Sequence, residues 1–341
     1  MAMRVGINGF GRIGRLVLRA GINNPELEFV AVNDLTNAET LAHLFKYDST
    51  FGIYPGNVQA KASSILIGNR ILEVVAERDP TKLPWKSLDV DLVIEATGRF
   101  TDAGKAKAHL SAGAQRVIIS APAKDEDITI CMGINEDRYQ PDKHFIISNA
   151  SCTTNCLAPM AKVLHENYRI VHGLMTTVHS YTNDQVILDF PHKDLRRARA
   201  AGVSMIPTTT GAARAIGLVL PELKGKLGGL AIRVPTPDVS MVDLTVEVDK
   251  ATSETDVNEK FLEASRDPRM SRYLQYSQEP LISKDFVGNP ASCIFDAPLT
   301  AVIGKTLIKT FGWYDNEWGY ASRIVDLAAH VAKKIVARVG P

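Results

Sequence analysis

Cys152, in the segment SNASCTTNCLAPMAKVLHE, is the residue best placed to do chemistry. It lies between an apolar run, Phe145 to Ser148, and a helix whose buried stripe is Leu157, Met160, Ala161 and Leu164. A thiol at a helix N-terminus meets unpaired N–H groups and the positive end of the dipole, which lower its pKa from about 8.5. Pro159 removes a backbone bond past the first turn, so a kink or a later helix start is expected. A base is offered by GLMTTVHSYTND, where a strand ends at His179. A helix from Cys152 to about Tyr168 runs roughly 25 Å, and the returning strand Val171 to Val178 covers roughly 26 Å in the opposite direction. The two side chains therefore meet at one edge. An imidazolium there stabilises the thiolate, and the same imidazole can exchange protons with a reacting aldehyde oxygen.

An inert buried thiol is the commoner fate of a free cysteine. The cap position of Cys152, among Ser151, Thr153 and Thr154, argues against it. Cys156, one turn on, could act as a resolving thiol, but intrahelical disulfides are geometrically poor and it reads as structural. Cys131 and Cys293 fall in β-like runs and read as core.

Gly9, Gly11 and Gly14 form GxGxxG between the strand Val5 to Asn8 and an apolar run starting at Ile13. Alone the motif is weak. In this context the glycines permit a tight turn and bring backbone N–H groups to a pyrophosphate at a helix N-terminus. Asp34, 20 residues after Gly14 at the end of the next strand, is where a ribose-binding carboxylate is expected. A carboxylate there repels the extra phosphate of NADP and favours NAD. The alternative is that Asp34 caps the helix beginning near Asn37.

Around these sites, short β-rich runs (RVGING, FVAVND, DLVIEATG, RVIISAP, ITICMG, HFIISNA) alternate with helical stretches up to about residue 150, the pattern of parallel βαβ units. Leu41, Leu44 and Phe45 mark one helix; Ala106, His109 and Leu110, after a Thr101 cap, mark another. Beyond Cys152 the texture changes. Val242, Leu244, Val246 and Val248 alternate with Asp243, Thr245, Glu247 and Asp249, as in an antiparallel sheet with one wetter face. Ile324, Val325, Leu327, Ala328, Val331 and Ile335 give a closing helix over 318–338, with Lys333, Lys334 and Arg338 suited to its C-terminal end; it could dock on either domain.

The 341 residues suggest two domains. Lys plus Arg (39) nearly cancels Asp plus Glu (38), so no broad field gathers nucleic acid or an anionic membrane, and phosphate recognition must be local. The basic run His192, Lys193, Arg196, Arg197, Arg199 has no reinforcement elsewhere and reads as a solvated face, with Arg197 the functional candidate and Arg199 an interface or loop-bracing residue. Four cysteines without CxxC or Cys/His spacing suggest neither a disulfide framework nor a metal site. Without a charged leader or a long apolar stretch, a cytoplasmic protein is expected, the lesser alternative being an organelle form lacking its transit peptide. The thiol and the dinucleotide motif together point to a nicotinamide-dependent aldehyde dehydrogenase.

INGFGRIGR, SNASCTTNCLAP, TTVHSYTNDQ, PHKDLRRARAA, PTTTGAA, RVPTP and GWYDNEWGY occur in the order and approximate spacing of one family. Over essentially its whole length the sequence resembles phosphorylating glyceraldehyde-3-phosphate dehydrogenases of the bacterial type. The resemblance implies an α/β fold: a Rossmann-type doubly wound parallel sheet in an NAD-binding domain (1–151, completed by the C-terminal helix 317–341), and an α+β catalytic domain with a mostly antiparallel sheet (152–316). It implies a cytoplasmic homotetramer of glycolysis or gluconeogenesis, with D-glyceraldehyde 3-phosphate, NAD and inorganic phosphate as ligands. By the same resemblance Cys152 attacks the aldehyde and His179 is acid and base; Thr182 and Arg233 hold the substrate's phosphate; Ser151, Thr153, Thr210 and Gly211 receive the attacking phosphate, with Arg197 between. Arg12 and Ile13 attend the pyrophosphate, Asp34 the ribose, and Arg78, Ser120, Asn183 and Asn316 the rest of NAD. Phe190 and Pro191 stand where NAD-specific members carry a bulky apolar residue, often Leu, and a proline. A related dehydrogenase of erythrose 4-phosphate or another phosphorylated aldehyde is the rival reading, as, more remotely, is a binding protein that keeps the fold without turnover.

Overall fold

The chain is described by a computed structural model covering residues 2–339, with side chains as far as Ile335, so Arg338 lies outside the described side chains. Two compact units emerge: Met1–Ile130, Glu136–Ala150 and Ala321–Pro341 make the first, Cys131–Asn135 and Ser151–Tyr320 the second.

The first unit is built on a nine-stranded sheet. Its strands run in the order Ile128–Thr129, Ile146–Ser148, Arg116–Ile119, Leu92–Glu95, Met3–Asn8, Leu27–Asn33, Arg70–Val75, Ser64–Ile67, Val58–Lys61. The first seven are mutually parallel. Val5, Ile7, Val93, Ile94, Val117 and Ile118 are wholly buried, as expected of strands covered on both faces. Strand order reverses around Met3–Asn8, whose neighbours are Leu27–Asn33 and Leu92–Glu95, so a crevice opens at the carboxyl ends of these strands. This is a doubly wound, Rossmann-type sheet. Its antiparallel edge, Val58–Lys61 and Ser64–Ile67, carries little alternation and is absent from the sequence expectation.

Helices α1 (Arg12–Gly21), α2 (Ala38–Lys46) and α3 (Ala103–Ser111) belong to this unit. Asn37 caps α2 by accepting from the Thr40 N–H at 2.9 Å, which releases Asp34 from the capping alternative. The cap of α3 is Asp102, accepting from Gly104 N–H, and not the expected Thr101. From Ala321 the C-terminal helix, Trp318–Val339, buries Ile324, Leu327, Ala328 and Val331 in the first unit, with Val325 against Gly21.

The second unit carries an eight-stranded, mostly antiparallel sheet in the order Ile206–Thr209, Leu227–Val234, Ile170–Ser180, Ser240–Val248, Leu307–Tyr314, Cys293–Asp296, Leu274–Ser277, with Ala301–Ile303 beside Leu307–Tyr314. Along Ser240–Val248 burial alternates residue by residue, with Val242, Leu244 and Val246 inward. Three helices complete the unit, α4 (Cys152–Tyr168), α5 (Ala212–Val219) and α6 (Glu254–Arg266), which makes the C-terminal helix α7. α4 starts at Cys152 and runs without interruption through Pro159, so the expected later start is not observed. Packing of its buried stripe outweighs the one backbone bond the proline removes.

Candidate active site

In the first unit the chain leaves Met3–Asn8 at Gly9, whose φ of +93° lies outside the range side chains readily adopt. A Cβ on Gly9 would stand 2.7 Å from the Thr97 backbone nitrogen, and one on Gly14 2.2 Å from the Gly9 carbonyl oxygen. Gly11 has open space around it and caps α1 without any side-chain bond; no acidic residue occupies the first turn. Free N–H groups, the positive end of the dipole and room for close approach are what a pyrophosphate needs. Beside this turn lies a cleft of about 380 Å³ lined by Asn8, Gly11, Asp34, Arg78, Thr97 and Phe100 among others. The Asp34 carboxylate is held by the Phe10 N–H (2.8 Å) and the Leu35 N–H (2.7 Å). These residues fit a dinucleotide whose ribose hydroxyls meet a fixed acceptor.

Behind the cleft runs a buried polar chain. Asn33 accepts from Glu77 N–H and donates to its carbonyl and to Asn8; Asn8 donates to Glu95, which His109 also meets at 3.0 Å. Trp85 donates to His109 Nδ1 at 3.0 Å, which leaves Nε2 to donate its N–H to Glu95. The expected cofactor residues are spread unevenly. Arg12 is bound to Asp48 through two hydrogen bonds, and with Ile13 it opens α1. Arg78 is exposed in the cleft, Ser120 donates its N–H to the Glu95 carbonyl, and Asn183 and Asn316 belong to the second unit.

In the second unit Ser151 caps α4, accepting from Thr154 N–H at 3.0 Å, and Cys152 is the first helical residue. Ala150, just before, is held at φ +54°, a strained conformation of the kind found at functional turns. Cys152 Sγ lies 3.5 Å from His179 Nε2. The Ser180 carbonyl oxygen, 2.7 Å from His179 Nδ1, accepts the Nδ1 N–H; this contact is shorter than that of the Arg233 donor 3.0 Å from the same nitrogen, and it leaves the lone pair of Nε2 facing the sulfur. Strand register sets Arg233 opposite His179, with its Nη1 3.0 Å from Nδ1 and from the Ser180 oxygen and 3.4 Å from Thr182 Oγ1.

These surroundings reverse the expected charge state. The Cys152 residue is partly open, yet desolvation of its sulfur pushes the thiol above its usual range, against the opposing pull of the Arg233 charge and of Thr153. Burial, followed by the Arg233 charge, holds His179 down to about 3. Desolvation thus favours thiol and neutral imidazole over the thiolate and imidazolium expected from the helix dipole. Desolvation of both groups outweighs that dipole.

The structure joins Cys152, His179, Arg233 and Thr182 by contacts. Thr153 is buried, and its hydroxyl bonds the Tyr314 hydroxyl at 2.9 Å. Thr210 and Gly211 stand at the start of α5, where the Thr210 hydroxyl accepts from Ala212 N–H. The guanidinium of Arg197 is bonded to Asp184 and lies 3.5 Å from Asp194, and its Nε donates to Thr208. Arg199 braces its loop through Asp189 at 3.0 Å, with Phe190 and Pro191 exposed nearby in the chain. Cys131, Cys156 and Cys293 are buried, as read. Tyr314, inside a motif quoted above but given no role there, bridges Thr153 and Thr177 and sets its ring edge-on to His179 at 6.0 Å between centroids.

A family model described as the glyceraldehyde 3-phosphate dehydrogenase NAD binding domain matches residues 3–103, and one for the C-terminal domain of the same enzyme matches residues 151–316. The chain is 59% identical over 334 residues to glyceraldehyde-3-phosphate dehydrogenase of Geobacillus stearothermophilus, covering 98% of this chain and 99% of that protein. It is 57% identical to glyceraldehyde-3-phosphate dehydrogenase 1 of Bacillus subtilis (strain 168), with the same coverage. To the Streptomyces coelicolor enzyme it is 54% identical over 336 residues, 98% of this chain and all of that one.

Proposed function

The chain belongs to the glyceraldehyde-3-phosphate dehydrogenase family, and from that premise we propose that Cys152 and His179 carry its reaction. The activity is the NAD-dependent oxidation of D-glyceraldehyde 3-phosphate with inorganic phosphate to 1,3-bisphosphoglycerate. The observation that carries the assignment is the 3.5 Å approach of Cys152 Sγ to the Nε2 of His179.

His179 takes the thiol proton as Sγ bonds the aldehyde carbon, and returns it to the oxygen of the thiohemiacetal. NAD held at the turn of residues 9–14 and at Asp34 would supply the acceptor for the hydride that leaves that carbon. His179 removes the hydroxyl proton at the same step, leaving a thioester on Cys152. Phosphate oxygen then bonds the acyl carbon, the C–S bond breaks, and the sulfur regains a proton. Arg233 and Thr182 hold the substrate phosphate; Ser151, Thr153, Thr210 and Gly211 serve the attacking phosphate, with Arg197 between the two. Gly9, Gly11, Arg12, Ile13, Gly14, Asp34, Arg78, Ser120, Asn183 and Asn316 hold the cofactor. Residues 1–151 with 317–341 act as the NAD-binding domain and 152–316 as the catalytic one. Exposed Leu174, Ile187 and Leu195 on the second unit support a homotetramer, and four free cysteines support a cytoplasmic setting.

The test is NADH formation with glyceraldehyde 3-phosphate and with erythrose 4-phosphate, each with and without inorganic phosphate. Strict phosphate dependence and preference for the triose are expected. Phosphate-independent turnover of the tetrose would replace this reading with that of a hydrolysing relative.

A further inference from the structure

Asp238 and Asp315 are two carboxyl groups with almost no exposure, 2% and 1%. Ser240 pairs with Tyr314 across neighbouring strands, so the residues just beyond, Asp238 on one side and Asp315 on the other, come to the same end of the sheet. Asp315 is fully engaged. Its Oδ2 accepts from Gly288 N–H at 2.8 Å, and its Oδ1 accepts from Glu317 N–H at 2.9 Å and Trp318 N–H at 2.6 Å at the start of α7.

Asp238 differs. Neither of its oxygens has a hydrogen bond of regular geometry among the described residues; the Val239 N–H and the Asp315 carboxyl are the polar groups that bear on it. The charged groups that bear on it are Asp315 and Glu317, both acids, while Lys284 and Asp285 on the segment leading to Gly288 are exposed. The following residue, Val239, sits at φ +67°, where a β-branched side chain is rarely found, and packs with Phe286, Ala291 and Ile294. An ionised Asp238 would be an uncompensated charge in an apolar setting, facing another of the same sign.

We propose that Asp238 is carried as the neutral acid and donates its proton to Asp315, forming a positioning latch for Asn316 that loosens when the proton is lost. Asn316 is the next residue after Asp315; its Oδ1 accepts from Ser240 Oγ at 2.6 Å, and Ser240 Oγ accepts from Ser180 N–H at 3.1 Å. The latch therefore holds one end of a hydrogen-bonded line that reaches the residue beside His179. Its functional effect rests on the reading of Asn316 as a cofactor residue; its protonation does not.

Burial, then repulsion from Asp315 and Glu317, pushes Asp238 up to about 8. Because this lies above the unfolded value of 3.8, the folded chain keeps a proton that the unfolded chain releases. Stability then falls as pH rises from about 4 to about 8 and levels beyond, the opposite sense to a salt-bridged aspartate.

The test compares wild type with Asp238→Asn, which keeps shape and a donor but cannot ionise. At about pH 6 the two should share kcat and KM for NAD, because the folded wild type still holds its proton, while their melting points, within about 2 °C of each other at about pH 4, have already begun to part. Between about pH 7 and pH 9.5 the wild-type KM for NAD should rise several-fold with kcat at saturating NAD nearly constant, while the variant's KM stays flat; the variant's melting point should rise above that of wild type between about pH 4 and pH 8, with the gap constant beyond. Parallel pH profiles of both KM and melting point would overturn the proposal. A pH-dependent gap in melting point without a gap in KM would uphold the protonated pair and overturn the latch on Asn316. Asn316→Ala separates the premise: unchanged NAD affinity in that variant removes Asn316 from the cofactor site. Should Asp238→Asn fail to fold, the infrared carbonyl band of a protonated carboxyl in wild type at about pH 7, lost by about pH 9.5, reads the same proton, and its absence at about pH 7 overturns the idea.

Discussion

The dinucleotide turn of the first unit and the thiol site of the second are assembled from different materials. Around Gly9, Gly11 and Gly14 the working groups are backbone N–H donors, and what admits them is the absence of side chains. Around Cys152 the working groups are side chains, joined through strand register that pairs His179 with Arg233 and through a helix that begins at the nucleophile. A backbone site depends on sterics between neighbours in sequence. A side-chain site depends on burial and charge contributed by distant residues, and that environment decides whether the sulfur rests as thiol or thiolate.

The largest expected break in this comparison is in the second unit. Cys152→Ser should lower phosphate-dependent NADH formation by at least about 10⁴-fold, and His179→Asn by about 10²–10⁴-fold, while NAD affinity measured by titration changes little in either. Equal loss of NAD affinity would show that the two sites are not separable. The first unit should break by sterics: Gly14→Ala brings a Cβ within 2.2 Å of a backbone oxygen and should destabilise the protein by about 1–3 kcal/mol with NAD binding weakened. Gly11→Ala, in open space, should stay within about 0.5 kcal/mol of wild type in thermal or denaturant unfolding and expose only the effect of a methyl group near the ligand. Indistinguishable stabilities would refute the steric account. Smaller again is Asp34→Ala, for which about 1–2 kcal/mol of NAD affinity and part of the discrimination against NADP should be lost, as read by paired cofactor titrations. Unchanged cofactor preference would remove Asp34 from the ribose site.

Legibility in the sequence follows the same division. The glycine turn, Asp34 and the bounds of α4 and its returning strand were readable because each is fixed by local sterics, by a period of 3.6 or by matched lengths. The cap of α3 fell one residue off because Thr101 and Asp102 are both cap formers, and only geometry shows which one reaches Gly104. The short strands Val58–Lys61 and Ser64–Ile67 left no alternation to read. Within the site, Arg197 carried the right charge for an anion, but its partners Asp184 and Asp194 become visible only when the loop is folded. The same is true of Tyr314, whose hydroxyl joins Thr153 to Thr177 across about 140–160 residues of chain. The direction of the Cys152 shift is hidden from the sequence for the most physical of these reasons. A helix N-terminus is a property of neighbours in sequence, whereas desolvation belongs to the whole fold.

The direct measurement is the rate of Cys152 alkylation by iodoacetamide against pH in the cofactor-free protein, with the modified peptide identified by mass spectrometry. If burial holds the sulfur protonated until His179 takes its proton, the rate should climb in one step centred above the ordinary thiol value of about 8.5. A step centred below about pH 7 would mean a resident thiolate at neutral pH, and would contradict the conclusion that desolvation outweighs the helix dipole at this site.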